Sequence, residues 1–266
     1  MCSSDLALTI AGSDSSGGAG IQADLKTFSA LGVYGASVLT ALTAQNTKGV
    51  AAIHQVPAQF ITAQMGAVFS DLAIGAVKIG MLGSAAAIAA VGAGLRRHRA
   101  RNVVLDTVMT ASSGGKLLPD DAVDALRGLM AQARLVTPNL PEAAVLTGAT
   151  QARDEAEMVA QARKLLTLGA SAVLIKGGHA GGTDSVDILV EDNAATRFAL
   201  PRIDTGNTHG TGCTLASAIA AGLAKDLALV DAVRQAKAYV AGAIEAADRI
   251  DLGSGSGPLH HFHKWW

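Results

Sequence analysis

The chain repeats one order of elements along much of its length: a short apolar strand, a polar loop and a helix. Residues 6–11, 77–79 and 102–105 are apolar segments of strand length, and each is followed by turn-forming residues and then by a stretch with helical character. Strands that alternate with helices form a mostly parallel sheet that helices cover on both faces. The sequence therefore predicts an α/β fold.

The later part of the chain departs from this alternation at one place. Residues 186–190 and 195–200 are two strand-like runs with no helix between them, which predicts a hairpin near an edge of the sheet. Helices are expected at residues 21–31, 57–70, 120–131, 154–168, 215–224 and 229–247, and an alanine-rich helix is expected after Ser84.

Composition narrows the class of protein. The chain has 266 residues, of which 50% are hydrophobic, and no repeat or long linker divides them, so we predict one domain over residues 1–266. The net charge of −1 provides no electrostatic basis for binding nucleic acid or an acidic membrane. The uncharged stretches are interrupted by turn formers and are not expected to span a membrane. The two cysteines, Cys2 and Cys213, indicate no disulfide framework, and we predict a cytoplasmic protein.

Polar residues follow the predicted strands at many places. In open parallel sheets, ligands bind outside the carboxyl ends of the strands. Residues that are distant in sequence should therefore share one rim of the sheet. The candidates are residues 12–20, Gln45, Met81, Asp106, Glu142, Lys176 and residues 204–214.

Residues 204–214 form the most distinctive polar segment. It contains three glycines and leads directly into the apolar helix predicted at 215–224. The first N–H groups of a helix lack intrahelical partners, and the helix dipole favours an anion there. We predict an anion-binding site at this helix start, with the pKa of the Cys213 thiol below its usual value of about 8.5. The alternative is a glycine-rich turn that caps the helix and buries a small cysteine.

Three charged residues on the predicted rim indicate phosphoryl transfer. Asp106 and Glu142 could hold Mg²⁺, and Lys176 at a strand end could contact phosphate. Glu142 has a second interpretation, because Asn139 with Glu142 three residues later is the pattern of a helix capping box. No Walker-type loop occurs, so a P-loop enzyme is excluded.

Other polar residues have structural interpretations as well. Asp24 could cap a helix or form an ion pair, and Gln45 could bond to loop backbone. His209 is expected to hydrogen-bond within its loop rather than to act as a base. The tail histidines His260, His261 and His263 lack a nearby helper ligand, and with Trp265 and Trp266 they predict a packed tail rather than a metal site.

Several segments resemble one family, the bacterial hydroxymethylpyrimidine/phosphomethylpyrimidine kinases of thiamine biosynthesis. The resemblance covers nearly the whole chain. The segments are residues 11–24, 40–47, 78–82, 104–106, 137–142, 176–179 and 207–214, together with the tail 260–266.

The resemblance implies a ribokinase-like fold, a homodimer, and the use of ATP and Mg²⁺. It implies two successive phosphorylations, first of the hydroxymethyl group of 4-amino-5-hydroxymethyl-2-methylpyrimidine and then of the monophosphate. Cys213 would be the base, where many ribokinase relatives have aspartate, and Gly210, Thr211 and Gly212 would form the anion hole with it. Gln45 would bind the pyrimidine edge, Asp106 and Glu142 would serve Mg²⁺ and phosphates, and Lys176 and Lys237 would lie near the nucleotide. The residues around the ring would be Gly12, Ala19, Asp24, Met81 and Val108.

Two departures and two alternatives accompany this resemblance. The family often has lysine at the positions of Ser112 and Gly206, so weaker phosphate contacts and a less efficient second step are expected here.

A pyridoxal kinase of the same fold is the nearest alternative, and Gln45 favours the pyrimidine because cysteine-bearing pyridoxal kinases tend to have an apolar residue there. A binder without catalytic activity is disfavoured by the presence of Cys213, Asp106 and Lys176 together.

Overall fold

The computed structural model describes residues 5–110, 115, 117–178, 182–192 and 194–266. Cys2, Ser112 and His179, which the sequence analysis singled out, lie outside the described residues. The strands are β1 (Leu6–Asp14), β2 (Tyr34–Asn46), β3 (Gly49–Gln55), β4 (Ala76–Ile79), β5 (Val103–Leu105), β6 (Leu135–Val136), β7 (Ala172–Lys176), β8 (Asp184–Glu191) and β9 (Ala194–Pro201). The helices are α1 (Gly20–Ala30), α2 (Ala58–Asp71), α3 (Ala85–His98), α4 (Val123–Met130), α5 (Leu140–Thr147), α6 (Glu155–Thr167), α7 (Thr211–Ala224) and α8 (Leu229–Glu245).

The strands join one sheet in the order β3-β2-β1-β4-β5-β6-β7-β8-β9. The central strands are parallel, whereas β3, β8 and β9 pair antiparallel at the two edges. The predicted mostly parallel α/β sheet and the predicted edge hairpin, β8–β9, are confirmed. β1 lies between β2 and β4, so the order of connection reverses there, and a crevice opens at such a switch point.

Two apolar layers cover the sheet because successive strand residues point to opposite faces. Leu8 and Val77 pack with α2 to α6 on one face, whereas their neighbours Ala7 and Ala76 pack with α1, α7 and α8 on the other. The sheet is therefore buried on both sides, as its near-continuous apolar strands predict.

The first hairpin of the sheet differs from the prediction. β1 continues past the expected end at Ala11 because Ser13 and Asp14 pair with Leu42 and Thr43 of β2. β3 was not predicted, and it pairs antiparallel with the end of β2. Most of β3 is exposed, so its sequence has no buried face to produce an alternating apolar pattern.

The C-terminal tail packs along the loop that precedes α7. The amide of His209 donates to the carbonyl of Gly257 at 3.1 Å. His260 and His261 are buried, but Trp265 and Trp266 are about 70% exposed, so the packed tail that was predicted includes the histidines and not the tryptophans. Among the described residues, no helix combines the length and hydropathy needed to cross a bilayer.

Phe28→Ala should lower the free energy of unfolding by about 3–5 kcal/mol, because Phe28 is fully buried on α1 and its removal leaves a void. Urea denaturation measures the effect. The control is Leu252→Ala at a position that is 52% exposed, where a change within about 0.5 kcal/mol is expected. Equal losses in both variants would contradict the assignment of the α1 layer to the core.

Candidate active site

A cavity of about 680 Å³ opens at the carboxyl ends of the parallel strands. Its walls combine the loop after β1, the ends of β2 and β4, the loops after β5, β6 and β7, and the starts of α5 and α7. The cavity therefore lies where the sheet order predicted it. The sequence-predicted residues that line it are Gly12, Ala19, Gln45, Met81, Asp106, Val108, Glu142, Lys176, Gly210, Thr211, Gly212, Cys213 and Lys237.

The glycine-rich segment before Cys213 forms the first turn of α7. Gly210 is the N-cap at φ +84°, and a Cβ built there would lie 1.9 Å from the carbonyl oxygen of Gly18. Only glycine allows both this left-handed conformation and this close approach between two loops. The first turn of α7 is thereby packed directly against the loop after β1.

The amides of this turn are partly available to a ligand. The Thr211 amide donates to the carbonyl of Thr208 at 3.2 Å, whereas no carbonyl in the described part of the chain accepts from the amides of Gly212 and Cys213. A Cβ at Gly212 would lie 3.4 Å from Nζ of Lys176. Two unpaired amides and an ammonium thus converge, which is the arrangement that binds an anion at a helix start.

The thiol of Cys213 has a different pKa from the one predicted. Burial raises the pKa of Cys213 to about 11, and the carboxylates of Asp24 and Asp106 add to this effect. The nearby Lys78 ammonium and a hydrogen bond from the Gly20 amide act in the opposite direction without overcoming burial. The prediction of a lowered pKa was therefore wrong, because it considered the helix start and not the desolvation of the thiolate.

Asp106, Lys176 and Glu142 form a charged group on the wall of the cavity. Nζ of Lys176 lies 2.8 Å from Oδ1 of Asp106. Burial works against the charged form of Lys176, but Asp106 and Glu142 raise its pKa above the ordinary value. Lys176 is therefore held as a cation at the cavity wall.

Glu142 has the capping role that its sequence position predicted. Its Oε2 accepts from the Asn139 amide at 2.9 Å and from Thr107 at 3.0 Å, while its own amide donates to the Asn139 side chain, which completes the capping box. Burial raises the pKa of Glu142, and the lowering effect of Lys176 is partly offset by Asp106. A cation beside the two carboxylates would relieve this repulsion.

The carboxylate oxygens of Asp106 and Glu142 suit a hard cation that takes few of its ligands from the protein. Oδ2 of Asp106 and Oε1 of Glu142 accept no hydrogen bond from the residues that the structure describes. Those residues contain no cluster of three or more metal-ligating side chains. Mg²⁺ binds oxygen ligands, keeps several of its waters and commonly uses one or two carboxylates with substrate phosphates, so the site fits Mg²⁺.

The cavity also contains Gln45 and a buried Asp14–His209 pair. Oδ2 of Asp14 lies 2.8 Å from Nε2 of His209, and Nε2 of Gln45 lies 3.4 Å from the same nitrogen. Burial alone would raise the pKa of Asp14, but hydrogen bonds from His209, Ser16 and Ala19 hold it well below its ordinary value. The prediction that His209 is a hydrogen-bonding loop residue is confirmed.

The sequence analysis placed Asp14 within the rim segment 12–20 without giving it a role of its own, and it did not identify Thr43 as a cavity residue. Oε1 of Gln45 accepts from the Thr43 hydroxyl at 3.1 Å, and both line the cavity. The available signal was the position of Asp14 in the polar segment that follows an apolar strand, but the prediction ended that strand too early.

Asp24 is not brought to the cavity wall. Its carboxylate is fully buried and is occupied by Lys78 at 2.8 and 2.9 Å, by Thr9 at 2.6 Å and by Ser217 at 2.7 Å. The structure thus gives Asp24 the ion-pairing role and shows no contact between Asp24 and the cavity. The missed signal was Lys78, a charged residue in the middle of an otherwise apolar strand.

Lys237 lines the cavity, but its charge is already paired. Its Nζ lies 2.6 Å from Oδ2 of Asp187, whose Oδ1 accepts from the Gly177 amide at 3.0 Å. These contacts join α8 to β8 and to the loop after β7. The structure thus gives Lys237 an ion-pairing role in the cavity wall.

Comparisons with known proteins agree along almost the whole chain. A family model described as phosphomethylpyrimidine kinase matches residues 14–260. A hydroxymethylpyrimidine/phosphomethylpyrimidine kinase of Rhizobium meliloti is 59% identical over 262 residues, which are 98% of each chain.

Solved structures agree in fold. Phosphomethylpyrimidine kinase from Clostridium difficile has a TM-score of 0.80 at 44% identity, covering 90% of this chain and 99% of its own. Pyridoxal kinase from Staphylococcus aureus, in complex with AMP-PCP and pyridoxal, has a TM-score of 0.90 at 32% identity, covering 99% of this chain and 95% of its own. The ribokinase-like fold that the motifs implied is confirmed. From the span and identity of these matches, the chain belongs to the phosphomethylpyrimidine kinase family.

Proposed function

We propose that the protein is an ATP-dependent kinase of thiamine diphosphate biosynthesis. It phosphorylates 4-amino-5-hydroxymethyl-2-methylpyrimidine and then converts the monophosphate to the diphosphate. The observation that carries the proposal is the juxtaposition of Cys213 and two unpaired amides with the cation of Lys176 in one cavity that also contains Gln45. The names of the most similar relatives support the choice of substrate.

Gln45 supplies the recognition of the pyrimidine. A glutamine amide offers one acceptor and one donor side by side, which complement the exocyclic amino group and the adjacent ring nitrogen. Gly12, Ala19, Met81 and Val108 provide less polar wall on the same side of the cavity. A Cβ at Gly12 would lie 3.3 Å from the sulfur of Met81, so glycine there leaves room for a flat ring.

Cys213 supplies the base. Its thiolate accepts the proton of the substrate hydroxyl as the oxygen attacks the γ-phosphorus, and ADP leaves from the other side of the phosphorus. The amides of Gly212 and Cys213 donate to the oxygens of the moving phosphoryl group. Lys176 balances the charge that accumulates there.

The nucleotide and its metal occupy the remaining wall. We infer that ATP is the donor, because the pyridoxal kinase of similar fold was solved with AMP-PCP. Lys176 and Lys237 both line the cavity. Asp106 and Glu142 would hold Mg²⁺, which neutralises phosphate charge when bound.

The second phosphorylation must accommodate the charge of the monophosphate. A side chain at Gly206 would meet no atom within 4 Å, so the loop has space for the lysine that the family often has there. With glycine at this position, that contact is lost, and we propose that the second step is slower than the first.

The assembly and location are part of the proposal. We infer a homodimer, supported by the exposed apolar side chains Leu42, Ile53 and Phe60 on the β2–β3 hairpin and at the start of α2. Sedimentation at micromolar concentration tests it. We treat residues 1–266 as one kinase domain because the described strands join one sheet. A cytoplasmic location is inferred because the base must remain a free thiol.

A substrate panel tests the proposed function. Purified protein with ATP and Mg²⁺ is given the pyrimidine alcohol, its monophosphate or pyridoxal, and the products are resolved by mass. We expect phosphorylation of both pyrimidines, with a higher kcat/KM for the alcohol, and little product from pyridoxal. Preferential phosphorylation of pyridoxal would instead identify a pyridoxal kinase.

Cys213→Ala should reduce kcat by about 10²–10⁴-fold while the pyrimidine still binds, because only the base is removed. Since the pKa of the thiol is about 11, its thiolate fraction rises with pH, and kcat/KM of the unaltered enzyme should rise between about pH 8 and 10. Cys213→Asp places a carboxylate that is already ionised there, so that rise should disappear. Full activity in Cys213→Ala, or the same alkaline rise in Cys213→Asp, would refute the assignment of the base.

Gln45→Met should raise KM for the pyrimidine alcohol by about tenfold or more, because two hydrogen bonds to the ring are lost. Steady-state kinetics measure the change. The matched control is Gln64→Met, which alters a glutamine on α2 that bonds to Leu39 outside the cavity. An unchanged KM in Gln45→Met would count against the pyrimidine contact.

A further inference from the structure

A buried ion pair below the first turn of α7 has no role in the mechanism described so far. Nζ of Lys78 lies 2.8 and 2.9 Å from the two carboxylate oxygens of Asp24, and both side chains are fully buried. Thr9 and Ser217 also donate to Asp24. Burying two charges is costly, and replacement by apolar residues is often neutral or stabilising, so stability alone is a weak explanation for the pair.

The packing of α1 against α7 fixes where the Lys78–Asp24 ion pair lies relative to Cys213. Gly20 and Cys213 both line the cavity, and the Ser217 hydroxyl of α7 donates to Oδ1 of Asp24 at 2.7 Å. Asp24 lies four residues after Gly20 on α1, and its partner Ser217 lies four residues after Cys213 on α7. Four residues make about one helical turn of about 5.4 Å. The ion pair is therefore about one turn below the sulfur.

The ammonium of Lys78 extends towards the cavity end of its strand. A Cβ built at Gly80, two residues further along the chain, would lie 2.8 Å from Nζ of Lys78. The side chain thus runs past Gly80 on the α1–α7 face of the sheet. Glycine at position 80 leaves the space that the ammonium occupies.

Charged groups from several elements face the sulfur. Lys78 of β4 and Lys176 of β7 are cations, while Asp24 of α1 and Asp106 after β5 are anions. Lys176 and Asp106 form their own pair at 2.8 Å on the nucleotide side. Among these groups the influence of Lys78 on the thiol exceeds that of Asp24, so the buried pair is net favourable to a negative sulfur.

We propose that Lys78 is a positioning residue that stabilises the thiolate of Cys213 from inside the protein, and that Asp24 and Gly80 hold its ammonium in place. The proposal rests on the proposed function, in which Cys213 is the base. It also replaces the expected substrate contact of Asp24 with a role as the counterion of Lys78.

Thiol alkylation tests the proposal without requiring kinase activity. The rate of iodoacetamide modification of Cys213 is followed at pH 8 by mass, on the peptide that contains Cys213, so that Cys2 does not interfere. For each unit by which the pKa of the thiol rises, the thiolate fraction falls about tenfold and its intrinsic reactivity rises about threefold, giving a net slowing of about threefold. Lys78→Met and the double variant K78M/D24N should both slow modification by about threefold or more, relative to the unaltered protein.

The double variant covers the case in which a lone buried aspartate prevents folding, because it removes both charges. Ser217→Ala is the matched control, since it removes one hydrogen bond to Asp24 and no charge, and its alkylation rate should match that of the unaltered protein. Circular dichroism checks that each variant is folded.

Unchanged or faster alkylation in a folded Lys78 variant would overturn the proposal, as would equal slowing in Ser217→Ala. These outcomes are separable from failure of the proposed function. A protein that does not phosphorylate the pyrimidine but shows the slowed alkylation refutes the function alone, whereas an active kinase with an unshifted thiol refutes the role of Lys78 alone.

Discussion

The unpaired amides at the first turn of α7 are the feature on which the rest of the site depends. They exist because a helix leaves its first N–H groups without partners, and because Gly210 adopts a left-handed conformation that no larger residue would fit against Gly18. That contact joins α7 to the loop after β1. Cys213 and the amides are consequently held at the crevice between β1 and β4, where the order of the sheet reverses.

The ammonium groups of Lys176 and Lys78 offset part of the free-energy cost of burying a thiolate and carboxylates in one cavity. Burial raises the pKa values of Glu142 and Cys213, and the carboxylate of Asp106 adds to both effects. Lys176 is placed between the carboxylates and α7, and Lys78 lies beneath the thiol. An incoming anion would therefore enter a site whose fixed charges are already arranged around it.

Similarity to known structures identifies the fold, whereas the contacts of individual side chains bear on the choice of substrate. The fold is shared with pyridoxal kinases at a TM-score of 0.90, so fold alone does not select a pyrimidine substrate. In the proposed function, a few side chains around Gln45 make that selection. Gln45 is oriented by Thr43 and lies beside His209, which is itself held by Asp14. In the proposed function, recognition of the ring would thus depend on contacts between β2, the loop after β1 and the loop before α7.

Sequence by itself determined the parts that depend on periodicity and on chain direction. Alternating strands and helices predicted the sheet, and the rule that parallel strands end at one edge brought Asp106, Lys176 and the segment before α7 to one rim. β3 was missed because an exposed strand has no buried face to mark it. The local pattern Asn139 to Glu142 was sufficient to predict a capping box, because both partners lie within one turn.

Only the tertiary structure determined which charged residues form pairs and in which direction the pKa of a buried group shifts. Asp24 and Lys78 are distant in sequence, and their pairing depends on α1 packing over β1, the strand beside β4, so no local pattern revealed it. The direction of the Cys213 pKa was likewise set by burial, which is a property of the packed chain. The spacing of apolar residues and the direction of the chain can be read from a short stretch of sequence. The burial of a side chain and its distance from other charges are fixed only after distant segments have packed together.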